Sequence, residues 1–136
     1  MDPILHLSLP VADLEAARRF YVEDLGCSPG RVDDGWIDVW FYGMQLTLHE
    51  RPEQVPAADG PRSVRHFGVT LDRSELDALL DRLRGRTVRW VEPITTGTGG
   101  RLAGKTSAKI ADPSGNVVEL KSYPADDAAP PGPPRA

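Results

Sequence analysis

The sequence predicts an α+β fold made of two tandem copies of one strand–helix–strands unit. Three observations predict it. The apolar period switches from two to about 3.6 and back in each half of the 136-residue chain. Each half opens on a strand carrying a histidine, HLSLPVAD at His6 and HFGVTLD at His66. Each half closes on two alternating runs joined by a short turn. A repeated unit too small to bury its own sheet is expected to pair with its copy and share a core.

The first element, Ile4 to Val11, alternates, with Leu5, Leu7 and Leu9 opposite His6 and Ser8. Asp13 stands at an N-cap position before LEAARRFYVEDL, whose Leu14, Ala17, Phe20, Tyr21 and Leu25 recur at helical spacing, and Gly26 ends it. Trp36 to Tyr42 and Gln45 to His49 form a hairpin through Gly43-Met44. The pattern then restarts with a strand over Val64 to Leu71. Ser74 caps a second helix striped by Leu76, Leu79, Leu80 and Leu83, and Thr87 to Val91 reads as a strand. A second hairpin joins Ser107–Ala111 to Asn116–Lys121 through Asp112-Pro113-Ser114-Gly115. The domain therefore spans 1–123, with module one at 1–50, a linker rich in Pro, Ala and Asp at 51–63, and module two at 64–123. The tail 124–136 holds five of the 13 prolines and no apolar stripe, and is expected to be disordered.

Composition narrows the function. The formal net charge is -4, which does not suit a nucleic-acid partner. Arg82, Arg84, Arg86 and Arg89 lie among Asp77, Asp81 and Glu92, as on a solvated helix face. No apolar run is long enough to span a bilayer, and no signal peptide is visible, so a cytoplasmic location is expected. The single cysteine, Cys27, excludes an internal disulfide and reads as a small apolar filler.

Strand parity sorts the remaining polar residues. Leu46, Leu48, Ile37, Val39, Phe41, Phe67, Val69, Val118 and Leu120 take the faces that the helices cover. The opposite faces carry His6, Ser8, Trp36, Asp38, Trp40, Tyr42, Gln45, Thr47, His49, His66, Thr70, Glu119 and Lys121. Asp38 is expected near the rim, because an unpaired buried carboxylate is costly. Such a face reads as a cleft lining. His6, His66 and Glu119 form a donor set suited to a divalent ion of iron, zinc, nickel, cobalt or manganese, with open positions for a substrate. His49 is the spare acid–base candidate. Ser8, Trp36, Trp40, Tyr42, Thr47 and Lys109 are the candidate substrate contacts, the aromatic ones suiting a planar body.

The segments HLSLPVADLEAARRFYVEDLG, GMQLTLHE, RHFGVTLD and ADPSGNVVELKSY resemble the vicinal oxygen chelate superfamily of glyoxalases, bleomycin-resistance proteins and extradiol dioxygenases. The resemblance covers nearly everything before Pro124. It implies two βαβββ modules whose curved mixed sheets enclose a metal cleft. It implies His6, His66 and Glu119 as ligands, with Gln45 as a conditional fourth ligand or, equally, a cleft hydrogen bonder. It also implies a homodimer, with ligands drawn from one chain or from two. The activity implied is a metal-dependent lyase, isomerase or dioxygenase that chelates a small oxygen-bearing substrate. The alternative is an antibiotic-binding or antibiotic-modifying resistance protein of the same fold. Glu119 or His49 would serve as base, since Gln45 cannot. Lys109 stands where ring-cleaving members carry tyrosine, and Lys109-Ile110 where fosfomycin-resistance proteins carry an aromatic pair. The run Gly99 to Thr106 matches a phosphate-loop pattern, but SAKIADPSGN after it offers no helix, so Thr95 to Thr106 is read as a flap over the cleft.

Overall fold

The computed structural model describes residues 1–57 and 64–124. The second half of the linker and the tail beyond Pro124 lie outside the described residues. Within them the chain forms two four-stranded sheets of the same topology. Module one contributes β1 (His6–Val11), β2 (Ser28–Asp33), β3 (Trp36–Phe41) and β4 (Met44–Glu50), in the order β1-β4-β3-β2. Module two contributes β5 (Phe67–Thr70), β6 (Arg89–Thr96), β7 (Thr106–Ala111) and β8 (Val117–Ser122), in the order β5-β8-β7-β6. In each sheet the first and last strands pair in parallel and the other pairs are antiparallel. The repeat read from the sequence is thus a repeat of topology.

Helix α1 (Leu14–Arg18) is capped by Asp13, whose Oδ1 accepts from the Ala16 amide at 3.0 Å. It runs directly into a π-helical stretch, Arg19–Asp24. The wider turn places the Leu25 amide on the Phe20 carbonyl at 2.9 Å and keeps Phe20 and Tyr21 together in the core. Helix α2 (Arg73–Arg84) starts one residue after Asp72, so Ser74 lies in its first turn and not at its cap. Its stripe of Leu76, Leu79, Leu80 and Leu83 is buried. Each such leucine contributes roughly 1.5–3 kcal/mol against full exposure, an upper bound.

Several boundaries differ from the sequence reading. Strand β1 begins at His6, and Ile4 and Leu5 are exposed. Strand β5 begins at Phe67, so Val64 and His66 precede it. Strand β2 went unread because SPGRVD is exposed along its whole length and has no alternation to betray it. Strand β6 extends to Thr96, because irregularities at Trp90/Glu92 and Glu92/Thr95 interrupt its period. The segment read as a flap is therefore partly strand, closed by a single 3-10 turn at Gly100–Leu102. The next element is strand β7, not a helix that could cradle a phosphate.

One apolar core joins the modules, running from Val11, Phe20, Leu46 and Leu48 to Leu76, Leu83, Val118 and Leu120. A polar clamp crosses it. The Tyr21 hydroxyl donates to Asp112 Oδ2 at 2.8 Å. The Asp112 carboxylate also accepts from the Ser114 and Asn116 amides, each at 2.9 Å, and from Asn116 Nδ2 at 2.8 Å. Asn116 Nδ2 reaches the Pro10 carbonyl at 3.1 Å, and Ser114 Oγ accepts from the Ala12 amide at 2.8 Å. Burial raises both the Tyr21 phenol and the Asp112 carboxyl above their ordinary pKa values, against the lowering effect of the hydrogen bonds that Asp112 accepts.

Replacing Tyr21 by Phe leaves a buried carboxylate short of one donor and should cost about 1–3 kcal/mol in urea unfolding. An unchanged midpoint would show that the clamp adds no stability. Cys27 is buried, and that burial pushes its thiol up to about 12. It should resist alkylation in the native protein and react promptly once urea unfolds it. Rapid labelling of folded protein would contradict this.

Candidate functional site

The strand register arranges the predicted site residues in rows across each sheet. In module one, His6 lies opposite Gln45 and Gln45 opposite Trp40. Ser8 lies opposite Thr47 and Thr47 opposite Asp38. Pro10 lies opposite His49 and His49 opposite Trp36. All these residues sit on the face turned away from the helices, while Ile37, Val39, Phe41, Leu46 and Leu48 are buried beneath them.

The first row fixes the imidazole of His6. Its Nδ1 lies 3.2 Å from the Gln45 carbonyl, and its Nε2 lies 3.2 Å from Ser8 Oγ. A carbonyl can only accept, so in the neutral ring Nδ1 carries the proton and Nε2 keeps its lone pair. That tautomer leaves Nε2 as the ring atom able to bind a metal.

The second row centres on Asp38, which is 3 % exposed and not at the rim. Its carboxylate accepts from Arg31 Nε at 2.6 Å, Thr47 Oγ1 at 2.7 Å and Gln45 Nε2 at 3.4 Å. Burial opposes its ionisation, but the bonds from Thr47, Arg31 and Gln45 and the charge of Arg31 outweigh it, so its pKa falls below the usual value. Arg31 also lies over the Trp36 ring, 5.2 Å from the centroid, which covers one face of that indole. Trp40 stands free, 39 % exposed.

Tyr42 does not share this face. Strand β3 ends at Phe41, and Tyr42 takes a positive φ of 49° at the turn, outside strand parity. Its ring packs edge-on against Phe41, and burial first, then the charges of Cys27 and Glu75, raises its phenol pKa. The tyrosine therefore faces the helix side. His49 is half-buried, beside a shallow depression lined by Ser8, Leu9, Pro10, His49, Arg51 and Gln54.

In module two the corresponding row is Gly68, Glu119, Lys109 and Glu92. A Cβ on Gly68 would collide with the Glu119 carbonyl oxygen, so β5 approaches β8 closely only because this residue is glycine. The Glu119 carboxylate is mostly buried and faces two ammonium groups, Lys121 Nζ at 3.4 Å and Lys105 Nζ at 4.0 Å. Lys109 Nζ lies 3.3 Å from Glu92 Oε1.

The two registers also identify equivalent positions. Ser8 pairs with Thr47 as Gly68 pairs with Glu119. The module-one counterpart of Glu119 is therefore Thr47, and Gln45 lies one row away. The signal was present in the sequence: aligning the turn glycines of GMQLTL and GNVVEL sets Thr47 over Glu119. Sequence reading also missed Arg31 and Lys105.

The donor chemistry of His6, His66 and Glu119 suits a divalent ion. Among the described residues no three His, Cys, Asp or Glu side chains converge to hold a metal. His6 is exposed on β1, the outer strand of one sheet, and His66 is exposed just before β5, the outer strand of the other.

Residues 3–120 match the family model described as the Glyoxalase/Bleomycin resistance protein/Dioxygenase superfamily. Among solved structures, a glyoxalase/bleomycin resistance protein/dioxygenase from Alicyclobacillus acidocaldarius is 29 % identical, with a TM-score of 0.81 over 90 % of this chain and 92 % of that one. The fosfomycin resistance protein FosX from Listeria monocytogenes shares the fold at 16 % identity and a TM-score of 0.71, over 93 % and 97 % of the two chains. Lactoylglutathione lyase from Agrobacterium tumefaciens shares it at 24 % identity and a TM-score of 0.64, over 90 % and 94 %. No curated protein matches the chain.

The Asp38 network has a pH signature. A carboxyl with a depressed folded-state pKa stabilises the fold above its unfolded value, and that contribution is lost as pH falls through the folded value. Arg31→Ala should therefore lower stability near neutral pH and have little effect in acid, where Asp38 is protonated in both states. Equal destabilisation at both ends would show that Arg31 acts by packing alone.

Proposed function

The chain belongs to the Glyoxalase/Bleomycin resistance protein/Dioxygenase superfamily, and from that premise we propose that it is a small-molecule enzyme whose centre forms where two copies meet. His6 of one copy would join His66 and Glu119 of the other around a divalent ion, with Thr47 and Gln45 beside it as polar neighbours. One observation carries this reading. His6 is exposed on the edge strand β1 and His66 is exposed just before the edge strand β5, Glu119 lies buried on the neighbouring β8, and among the described residues no three such donors converge within one chain.

A bound ion would supply Lewis acidity to adjacent oxygens of a substrate. The residues of the chain would do the rest. The Gln45 carbonyl would hold the His6 tautomer, and the Ser8 hydroxyl would give up Nε2 to the ion. Trp40, in the His6 row, would cover a flat portion of the substrate. Asp38 holds the Thr47 hydroxyl. His49, at the mouth of the depression that it shares with Ser8, is the candidate to accept a proton.

Metal content and chain mixing test this together. Purified protein loaded with zinc or cobalt should hold the metal stoichiometrically, and His6→Ala or Glu119→Ala should each abolish it. In a mixture of the two variants, half of the dimers carry both chains and each of these has one intact site, so roughly a quarter of the sites should recover metal by symmetry. No recovery would place the ligands in one chain. Undiminished metal in Glu119→Ala would remove Glu119 from the centre.

A further inference from the structure

Three lysines gather on the ligand face of module two, around a carboxylate too sparse to neutralise them. Lys109 is the direct cross-strand partner of Glu119, and Lys121 is that of Ser107. These four residues therefore form a two-by-two patch on one face of β7 and β8, and Lys105 enters it from the residue before β7. The lysines are not ordinary surface cations. Their side chains are 19 %, 15 % and 28 % exposed for Lys105, Lys109 and Lys121.

Their pairing is loose. The contacts of Lys105, Lys109 and Lys121 with Glu119 and Glu92 run from 3.3 to 4.0 Å, longer than the roughly 2.7–2.9 Å of a tight charge-assisted bond. Among the described residues three ammonium groups thus face two carboxylates, in a chain whose formal net charge is -4. Lys105 and Lys121 also converge on one ring, with Nζ atoms 5.9 and 5.6 Å from the Tyr123 centroid. Among the described residues Glu119 is the one carboxylate paired with both of these charges, at 3.4 and 4.0 Å, and a second anion placed beside them would share the remaining positive charge.

We propose that Lys105, Lys121 and Lys109 form a seat for an anionic group of the ligand, a carboxylate or a phosphonate or phosphate, beside Glu119. The proposal deepens the reading of this face as the substrate site and names the substrate class, an oxyanion-bearing small molecule. It does not require the metal. Glu119 and the Tyr123 ring bring the Lys105 and Lys121 ammonium groups to one place before a ligand binds, which lowers the side-chain ordering that binding must supply.

Calorimetric titration of the full chain with benzoate, phenylphosphonate and benzamide tests it. Each titration is run once after chelator treatment and once with added zinc. Benzoate or phenylphosphonate should bind under both conditions, and benzamide about tenfold more weakly or not at all. Lys121→Met and Lys105→Met should each weaken anion binding about tenfold, while Lys121→Arg keeps most of it. If a methionine variant melts early, the polar and uncharged Lys121→Gln, checked by its melting temperature, replaces it. Preference for phenylphosphonate over benzoate assigns a phosphonate or phosphate group, and the reverse assigns a carboxylate. Benzamide binding as tightly as the anions, no binding of either anion, or methionine variants that bind like the parent would overturn the seat. Anion binding without metal uptake would sink the metal reading alone, and metal uptake without anion binding would sink the seat alone.

Discussion

The relation between the two sheets depends on one buried carboxylate. Asp112 is 2 % exposed and its carboxylate accepts four hydrogen bonds, one of them from Tyr21 in the other module. Three of the four come from its own turn, so the turn is rigid before the modules meet. The fourth ties that turn to the π-helical stretch after α1. Asn116 and Ser114 then hold the end of β1. An apolar core alone fixes distance better than it fixes angle, since apolar contact is not directional. These bonds supply the angle, and the angle sets where each ligand face points.

Each face is then organised by sheet register. Period two puts His6, Ser8, Gln45, Thr47 and Glu119 on one side of their sheets, and cross-strand pairing sorts them into rows. The rows give neighbouring residues distinct tasks. His6 has its tautomer set by the Gln45 carbonyl and by Ser8. Thr47 spends its proton on Asp38. Glu119 is positioned by a glycine that lets two backbones touch. The matching topology of the two modules makes these rows comparable, and the comparison shows that they carry different chemistry.

Much of this was legible in the sequence because periodicity is local. The two modules, the helix stripe of Leu76 to Leu83 and the helix-side residues Ile37, Val39 and Phe41 all arise from spacing of a few residues. The features that were not legible depend on partners distant in the chain or on the absence of a pattern. Strand β2 is an exposed edge with proline and glycine, so no alternation marks it. Asp38 looked like a rim residue because parity cannot reveal that Arg31, across the β2–β3 turn, would come to 2.6 Å. Tyr42 was placed by extending β3 one residue into a turn where φ is positive. Thr47 could have been read as the counterpart of Glu119, but only by aligning the two turns before choosing the ligand row. Whether His6, His66 and Glu119 meet is not encoded by their spacing, since that spacing places each residue only within its own strand or turn.

The unequal pair Ser8 and Gly68 bears on how such a protein can change over time. Ser8 carries a side chain at a place where β1 and β4 tolerate one, whereas its counterpart sits where the backbones close up and no atom can be added. The first half can therefore carry a different side chain at this row, whereas the second half can vary only at the other positions of its face. Two halves of one topology thus present two unlike surfaces.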